Sequence, residues 1–338
     1  MKNPFSLTFG KEPLSLISRN LQNEEIISSF TADNPDYQVC MITGVRGSGK
    51  TVAMTTIANE LRQDAHWLVI DLNPERDLLN ALTAELSSNK DIFSYLKSAQ
   101  INISAFGFGV GISGKQEIKD VTVLLNAILD KITKENKRIL VTIDEVTANK
   151  NIKEFVSQFQ IFIRKNYNVF LLMTGLYENI YDLQNEKSLT FLYRAPKIEL
   201  KPLSIPLIMQ KYKEIFVLQD EQALAMAKLT EGYPFAYQVL GYLCFKNKTS
   251  FDKVLFEFDS YLEEYVYEKI WSETSSMDKE IMSAMAKSAS TKVASIREIA
   301  KLDSNIFNVY RKRLLKKGVV RTPKSILNTS GILIIGIF

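Results

Sequence analysis

Two kinds of pattern alternate through the first 200 residues. Short apolar runs come at 37–44 (YQVCMITG), 66–72 (HWLVIDL), 138–146 (RILVTIDEV) and 168–176 (NVFLLMTGL), with a shorter one at 195–200 (APKIEL). Between them, apolar residues recur at helical spacing over 51–62, 77–86, 121–132 and 152–165. Strands that are apolar on both faces and separated by helices predict an α/β fold, a parallel sheet with helices on both faces. One segment fits neither pattern. Residues 101–115 (INISAFGFGVGISGK) alternate apolar residues with Gly and Ser, which reads as a β-hairpin inserted between helices. Gly-rich strands specify register weakly, so this is either a flexible surface hairpin or a loop that contacts a partner.

After Pro202 the pattern turns helical, over 204–217, 221–230, 234–247 and 251–271, as in a small all-helical domain. The order that follows is helix (277–289), short helix (295–301), turn, helix (305–317), strand, loop, strand. That order is a winged helix-turn-helix. Three domains result: 1–200, with 1–20 as an N-terminal leader, then 201–274 and 275–338. In the last of them, Ile296, Ile299 and Leu302 are expected to face inward, and Asp303 or Ser304 to cap the next helix. Ile306, Val309, Tyr310 and Leu314 give that helix its buried side. Asn305, Asn308, Arg311, Lys312 and Lys316 are left to solvent.

Composition adds exclusions. With 46% hydrophobic and 24% charged residues, the 338-residue chain is that of an ordinary globular protein. Residues 1–19 contain no uninterrupted apolar core, so no signal peptide is expected. No apolar run reaches the roughly 20 residues that span a membrane. The final GILIIGIF is too short to cross, and its abrupt end reads as a truncated or unusual C-terminus. Cys40 and Cys244 lie far apart, as expected of buried, reduced thiols in a cytoplasmic protein. A single histidine, His66, excludes a multi-histidine metal site. The charge is unevenly spread. Residues 276–338 hold 12 Lys or Arg against 4 acids, a net +8 in a chain whose total is +4.

The first apolar run leads directly into Gly44-Val45-Arg46-Gly47-Ser48-Gly49-Lys50-Thr51, and Val52 continues into the helix. This is G-x-x-x-x-G-K-[ST], a phosphate-binding loop with a strand before it and a helix after it. Its glycines let the backbone curl so that successive N–H groups face phosphates. Lys50 would reach the β- and γ-phosphates of ATP or ADP, and Thr51 would bind Mg²⁺. A second acidic site is needed for hydrolysis. Asp144 and Glu145, at the end of the 138–146 run, supply it: Asp144 for the Mg²⁺ shell, Glu145 to orient or deprotonate water. Thr174, ending another strand, is a sensor of the γ-phosphate or simply part of a Thr-Gly turn. Arg194, before the last strand, is an arginine finger or a surface arginine.

These residues carry a resemblance. GVRGSGKT (44–51), LVTIDE (140–145), LLMTG (171–175), LYRAPKIELKPLS (192–204) and EGYPFAYQVLG (231–241) resemble the AAA+/STAND group of P-loop ATPases. Within it the chain is most similar to the small archaeal-type ATPases that carry a helical lid and a winged helix. The resemblance implies that Gly232-Tyr233-Pro234 starts a lid helix near the nucleotide, which adds Pro234 to the nucleotide contacts. It also implies that residues 3–19 wrap the base, with Ser18-Arg19 in place of the group's Gly-Arg. No arginine occurs from Pro234 through Cys244. A sensor arginine of the AAA+ type is therefore missing there, which favours the STAND side.

The helix at 305–317 is the candidate effector. Asn305, Asn308 and Arg311 suit base edges, Lys312 and Lys316 suit phosphates, and Lys324 on the wing suits the DNA backbone. The sequence-level expectation is an ATP-dependent switch whose basic winged helix contacts duplex DNA. The alternative is a STAND-like signalling ATPase whose winged helix grips a protein, another copy of the chain or the ATPase domain itself. No membrane partner is expected.

Overall fold

The computed structural model describes residues 2–8, 10–102, 116–118, 120–288, 290, 292–321 and 333–334. They form two compact units. One comprises residues 19–43 and 53–198; the other comprises 1–18, 44–52 and 199–338.

The first unit is built on a five-stranded sheet. Its strands are β1 (Val39–Thr43), β2 (Trp67–Leu72), β5 (Arg138–Ile143), β6 (Val169–Gly175) and β7 (Lys197–Glu199), in the order β2-β5-β6-β1-β7. The pairings β2–β5, β5–β6 and β6–β1 are parallel. β1 and β6 are buried along their whole length and β5 from Ile139 onward. Their continuous apolar runs are thus explained by cover on both faces. On one face Phe30 of α1 (Asn20–Thr31) meets Phe170 of β6, ring centroids 5.1 Å apart; on the other, the amphipathic helices α3 (Leu78–Ser88), α5 (Val121–Lys134) and α6 (Lys150–Arg164) bury their stripes in one core with Val39, Met41, Val141 and Leu171. Each fully buried Leu, Ile or Phe contributes about 1.5–3 kcal/mol, so this core dominates the unit's stability.

Three helices of this unit were not legible in the apolar pattern. They are α1 (Asn20–Thr31), α4 (Lys90–Ser98) and α7 (Tyr177–Asn185). α4 buries only Ile92 and Leu96, a stripe too thin to read. α1 gains its end from a distant residue: the Arg138 guanidinium donates to Phe30 O at 2.5 Å and Ala32 O at 2.9 Å. A cation there complements the helix C-terminus. The expected hairpin at 101–115 needs correction. Its described ends, β3 (Ile101–Asn102) and β4 (Gln116–Glu117), pair in parallel, which two arms joined by a tight turn cannot do. Residues 103–115 lie outside the described residues.

In the second unit, Phe5 and Ile17 of the N-terminal stretch share a core with the lid helices α8 (Ile205–Phe216), α9 (Asp220–Leu229) and α10 (Pro234–Asn247). Phe5 is the anchor. Its ring stacks on Phe216 at 5.7 Å and meets Tyr237 edge-on at 5.6 Å. A Cβ at Gly241 would come within 2.3 Å of that ring, so only glycine allows the approach. The helix expected at 251–271 opens on a 3₁₀ turn (Phe251–Val254) and then runs on as α11 (Leu255–Leu262), a π-turn (Glu263–Tyr267) and α12 (Glu268–Glu273), with right-handed helical backbone at both joins.

The C-terminal part has the winged helix-turn-helix order: α13 (Ser276–Lys287), α14 (Val293–Ala300), α15 (Ser304–Lys317), then β8 (Val320–Arg321) antiparallel to β9 (Leu333–Ile334). Asp303 caps α15 through the Asn305 N–H at 2.7 Å. The expected inward faces need correction. Ile296 is buried, but Ile299 is 42% exposed. On α15 the buried positions are Phe307 and Leu314, while Ile306 and Val309 are 46% and 65% exposed. Beneath α15 lies a fully buried carboxylate, Asp278. Arg313 donates to it at 2.5 Å and Lys317 at 3.1 Å. Two of the segment's basic residues therefore serve the fold.

Candidate functional site: a phosphate loop and an acid pair

The loop leaves β1 after Thr43, where β1 pairs with the end of β6. Gly47 and Gly49 take left-handed φ values of 74° and 87°, which other residues adopt only with strain. Nothing lies within 4 Å of a Cβ placed on Gly49, whereas one on Gly44 would stand 2.5 Å from Ser48 Oγ. The Ser48 N–H donates to Val45 O at 3.2 Å. α2 (Lys50–Leu61) starts at the loop's lysine. Lys50 is buried, and its ammonium donates to Gly44 O at 3.1 Å and Val45 O at 3.0 Å. A curled backbone, two left-handed glycines, a buried cation and a helix N-terminus form a cradle fitted to phosphate. Arg46 and Val52 are half-buried. Gly10 of the leader would set a Cβ 3.6 Å from Thr51 Cγ2, so the leader passes beside the metal-ligand candidate.

Pro234 occupies the first turn of α10, where its missing N–H costs nothing. The residue before it is one that sequence reasoning missed. Tyr233 is 8% exposed and its hydroxyl donates to Arg46 O at 2.6 Å. Burial pushes its phenol far above the ordinary range, so it stays a donor. Arg46 is held at its other end as well, by Glu273 at 3.1 Å. The only advance signal was the Gly-Tyr-Pro tripeptide; its contact to residue 46 spans 187 positions and has no local signature.

In the sheet unit, β5 ends at Ile143, and Asp144 and Glu145 follow it. Asp144 is half-buried; Glu145 is exposed and has φ +53°. The fully buried Thr174 of β6 organises the pair. Its hydroxyl donates to Asp144 and accepts the Glu145 N–H at 3.2 Å, a donor shared with Asp144 Oδ1 at 3.1 Å. Thr174 thus lies within the strand with its hydroxyl engaged. Arg194, exposed, closes a 3₁₀ run over Lys187–Arg194. Aspartate and threonine oxygens are the donor chemistry that Mg²⁺ takes.

Among the α15 residues expected to meet DNA, Asn305, Asn308, Lys312 and Lys316 are exposed and Arg311 is half-buried. Lys324 lies outside the described residues. Among the described residues no helix is long and apolar enough to cross a membrane, and no group of three His, Cys, Asp or Glu could hold a metal.

Comparisons with known proteins bear on the family and the fold. Residues 26–175 match the family model of an ATPase domain predominantly from Archaea, and residues 264–325 match a domain of unknown function (DUF8462). No curated protein matches the chain. Among solved structures, the Walker-type ATPase PABY2304 of Pyrococcus abyssi superposes with TM-score 0.68 at 16% identity, over 98% of this chain and 97% of that one. The Aeropyrum pernix ORC2 protein, solved as ADPNP–ADP complexes, superposes with TM-score 0.58 at 13% identity, over 94% and 90%. At such identities the likeness is one of fold.

Proposed function

We propose that this chain, a P-loop ATPase of archaeal type, is an ATP-hydrolysing switch whose C-terminal winged helix contacts duplex DNA. The observation that carries the reading is the loop cradle, with Gly47 and Gly49 left-handed and Lys50 buried at the start of α2. In this reading the N–H groups of residues 44–51 hold the phosphates, and Lys50 exchanges Gly44 O and Val45 O for phosphate oxygens. Thr51 and Asp144 would hold Mg²⁺, which neutralises charge on the β- and γ-phosphates. Glu145 orients the attacking water and takes its proton. Thr174 keeps the acid pair in place. Arg194, exposed at the end of its 3₁₀ run, acts on the nucleotide of a neighbouring copy.

The test compares two variants. Lys50→Ala abolishes ATP binding, because that ammonium acts in the ground state. Glu145→Gln keeps binding and loses phosphate release, because its role is confined to the chemical step. Wild-type turnover by Glu145→Gln sinks the catalytic assignment. For Arg194, mixing Arg194→Ala with Lys50→Ala protein restores part of the activity if the arginine acts between copies; no recovery in proven mixed oligomers overturns that role.

DNA contact is supported by the exposed Asn305, Asn308, Lys312 and Lys316 of α15 and by the net +8 of residues 276–338. A second reading has one observation of its own. Ile306 and Val309 stand exposed among those polar residues, which suits a protein partner. Undetectable binding to duplex DNA at low salt, with and without an ATP analogue, favours that second reading.

A further inference from the structure

We infer that Tyr233 is a positioning residue of the nucleotide site, holding the Arg46 carbonyl so that the Gly47 N–H is presented to the phosphates. The inference rests on phosphate binding by residues 44–51 as proposed above.

A trans peptide is planar, with its carbonyl and its N–H pointing in opposite directions. Fixing one fixes the other. Because the Tyr233 hydroxyl holds Arg46 O at 2.6 Å, the Gly47 N–H points away from Tyr233. A phosphate loop works by presenting such N–H groups in a preset direction, so a clamp on one carbonyl orients the peptide that follows.

The clamp is itself rigid. Gly232 has φ +77°, and a Cβ there would come within 2.5 Å of Leu203 O. The Gly232 carbonyl accepts the Leu203 N–H at 2.7 Å, and the Tyr233 N–H donates to Thr230 O at 2.7 Å. Pro234 then fixes the start of α10. The tyrosine backbone is therefore pinned on both sides of its side chain. Residue 46 is pinned too, since Glu273 holds its guanidinium.

The same contact explains why position 47 is glycine beyond its φ. A Cβ on Gly47 would lie 2.1 Å from the Tyr233 hydroxyl oxygen and 2.8 Å from Cζ. The ring leaves no room for a side chain. Tyr233 and Gly47 thus form a matched pair, one filling the space that the other leaves.

Tyr233→Phe is the test, since it keeps the ring and removes only the donor. Equilibrium binding of ATP and of inorganic tripolyphosphate is measured on the full chain, wild type and variant. Tripolyphosphate probes the loop without a base. The expected result is about tenfold weaker binding of both, the size of one lost hydrogen bond to a partly buried carbonyl. Unchanged affinity for tripolyphosphate, whatever happens to ATP, overturns the positioning role, because a base-contacting or general packing role leaves the loop's own ligand untouched. If the wild-type chain binds neither ligand, the nucleotide reading itself fails and this inference with it. Tight wild-type binding matched by the variant removes only the role of Tyr233.

Discussion

Thr174 donates its hydroxyl to the carboxylate of Asp144, and the same oxygen accepts the Glu145 N–H at 3.2 Å. One buried side chain on β6 therefore fixes the two acids that follow β5. Thr174→Val is nearly isosteric but removes both bonds. The expected outcome is a fall in ATP turnover of about tenfold, equivalent to ~1.4 kcal/mol in the barrier. ATP affinity should change far less, because the loop is untouched. Steady-state phosphate release beside equilibrium binding checks this, and Thr174→Ser should retain most of the activity.

Asp278 is the buried floor of the winged helix, and Arg313 and Lys317 both reach it. Removing the carboxylate takes an ion pair from Lys317, whose side chain is only 11% exposed, and from Arg313, which keeps a partial route to solvent. Asp278→Ala should therefore destabilise the fold by about 1–3 kcal/mol, below the full cost of breaking a wholly buried pair. Urea unfolding of the full chain, followed by circular dichroism, measures it. A change within about 0.5 kcal/mol would show the pair to be dispensable.

Arg313 and Lys317 are engaged inside the fold, so the proposed DNA contact is tested at Lys312 and Lys316, the exposed lysines of α15. Replacing Lys312 and Lys316 by Ala should flatten the salt dependence of duplex binding by about one to two units, at about 0.9 per phosphate contact. Asn308→Ala should instead relax sequence preference, at about 1–3 kcal/mol for a bidentate base contact. Anisotropy titrations at several salt concentrations separate the two effects.

Cys40 and Cys244 are both buried free thiols, and burial pushes each from its ordinary 9.0 up to about 12. The folded chain keeps these protons where the unfolded chain has lost them. The stability they contribute is therefore complete below pH 9 and is lost as pH rises from about 9 towards 12. At pH 8 maleimide should label the native protein far more slowly than the urea-unfolded protein, since the thiolate is the reactive form. Equal rates would mean that at least one cysteine is accessible.

Local signals in the chain determined the sheet and the phosphate loop. A strand buried on both faces reads as a near-continuous apolar run, so Ile139–Ile143, interrupted only by Thr142, and Val169–Met173 are legible as residues alone. The loop is legible because its requirements, two glycines for curled backbone and a lysine at a helix start, fall within eight consecutive positions. Tertiary structure decided the rest. On α15 the apolar residues Ile306, Phe307, Val309, Tyr310 and Leu314 cover more than one face of the helix, and only packing against α13 and α14 selects Phe307 and Leu314 for the interior. Asp278 finds Arg313 across 35 positions, and Tyr233 finds the Arg46 carbonyl across 187. Side chains that far apart meet only after the backbone has folded. Their meeting depends on shape and on satisfying buried polar atoms, neither of which leaves a periodic trace along the chain.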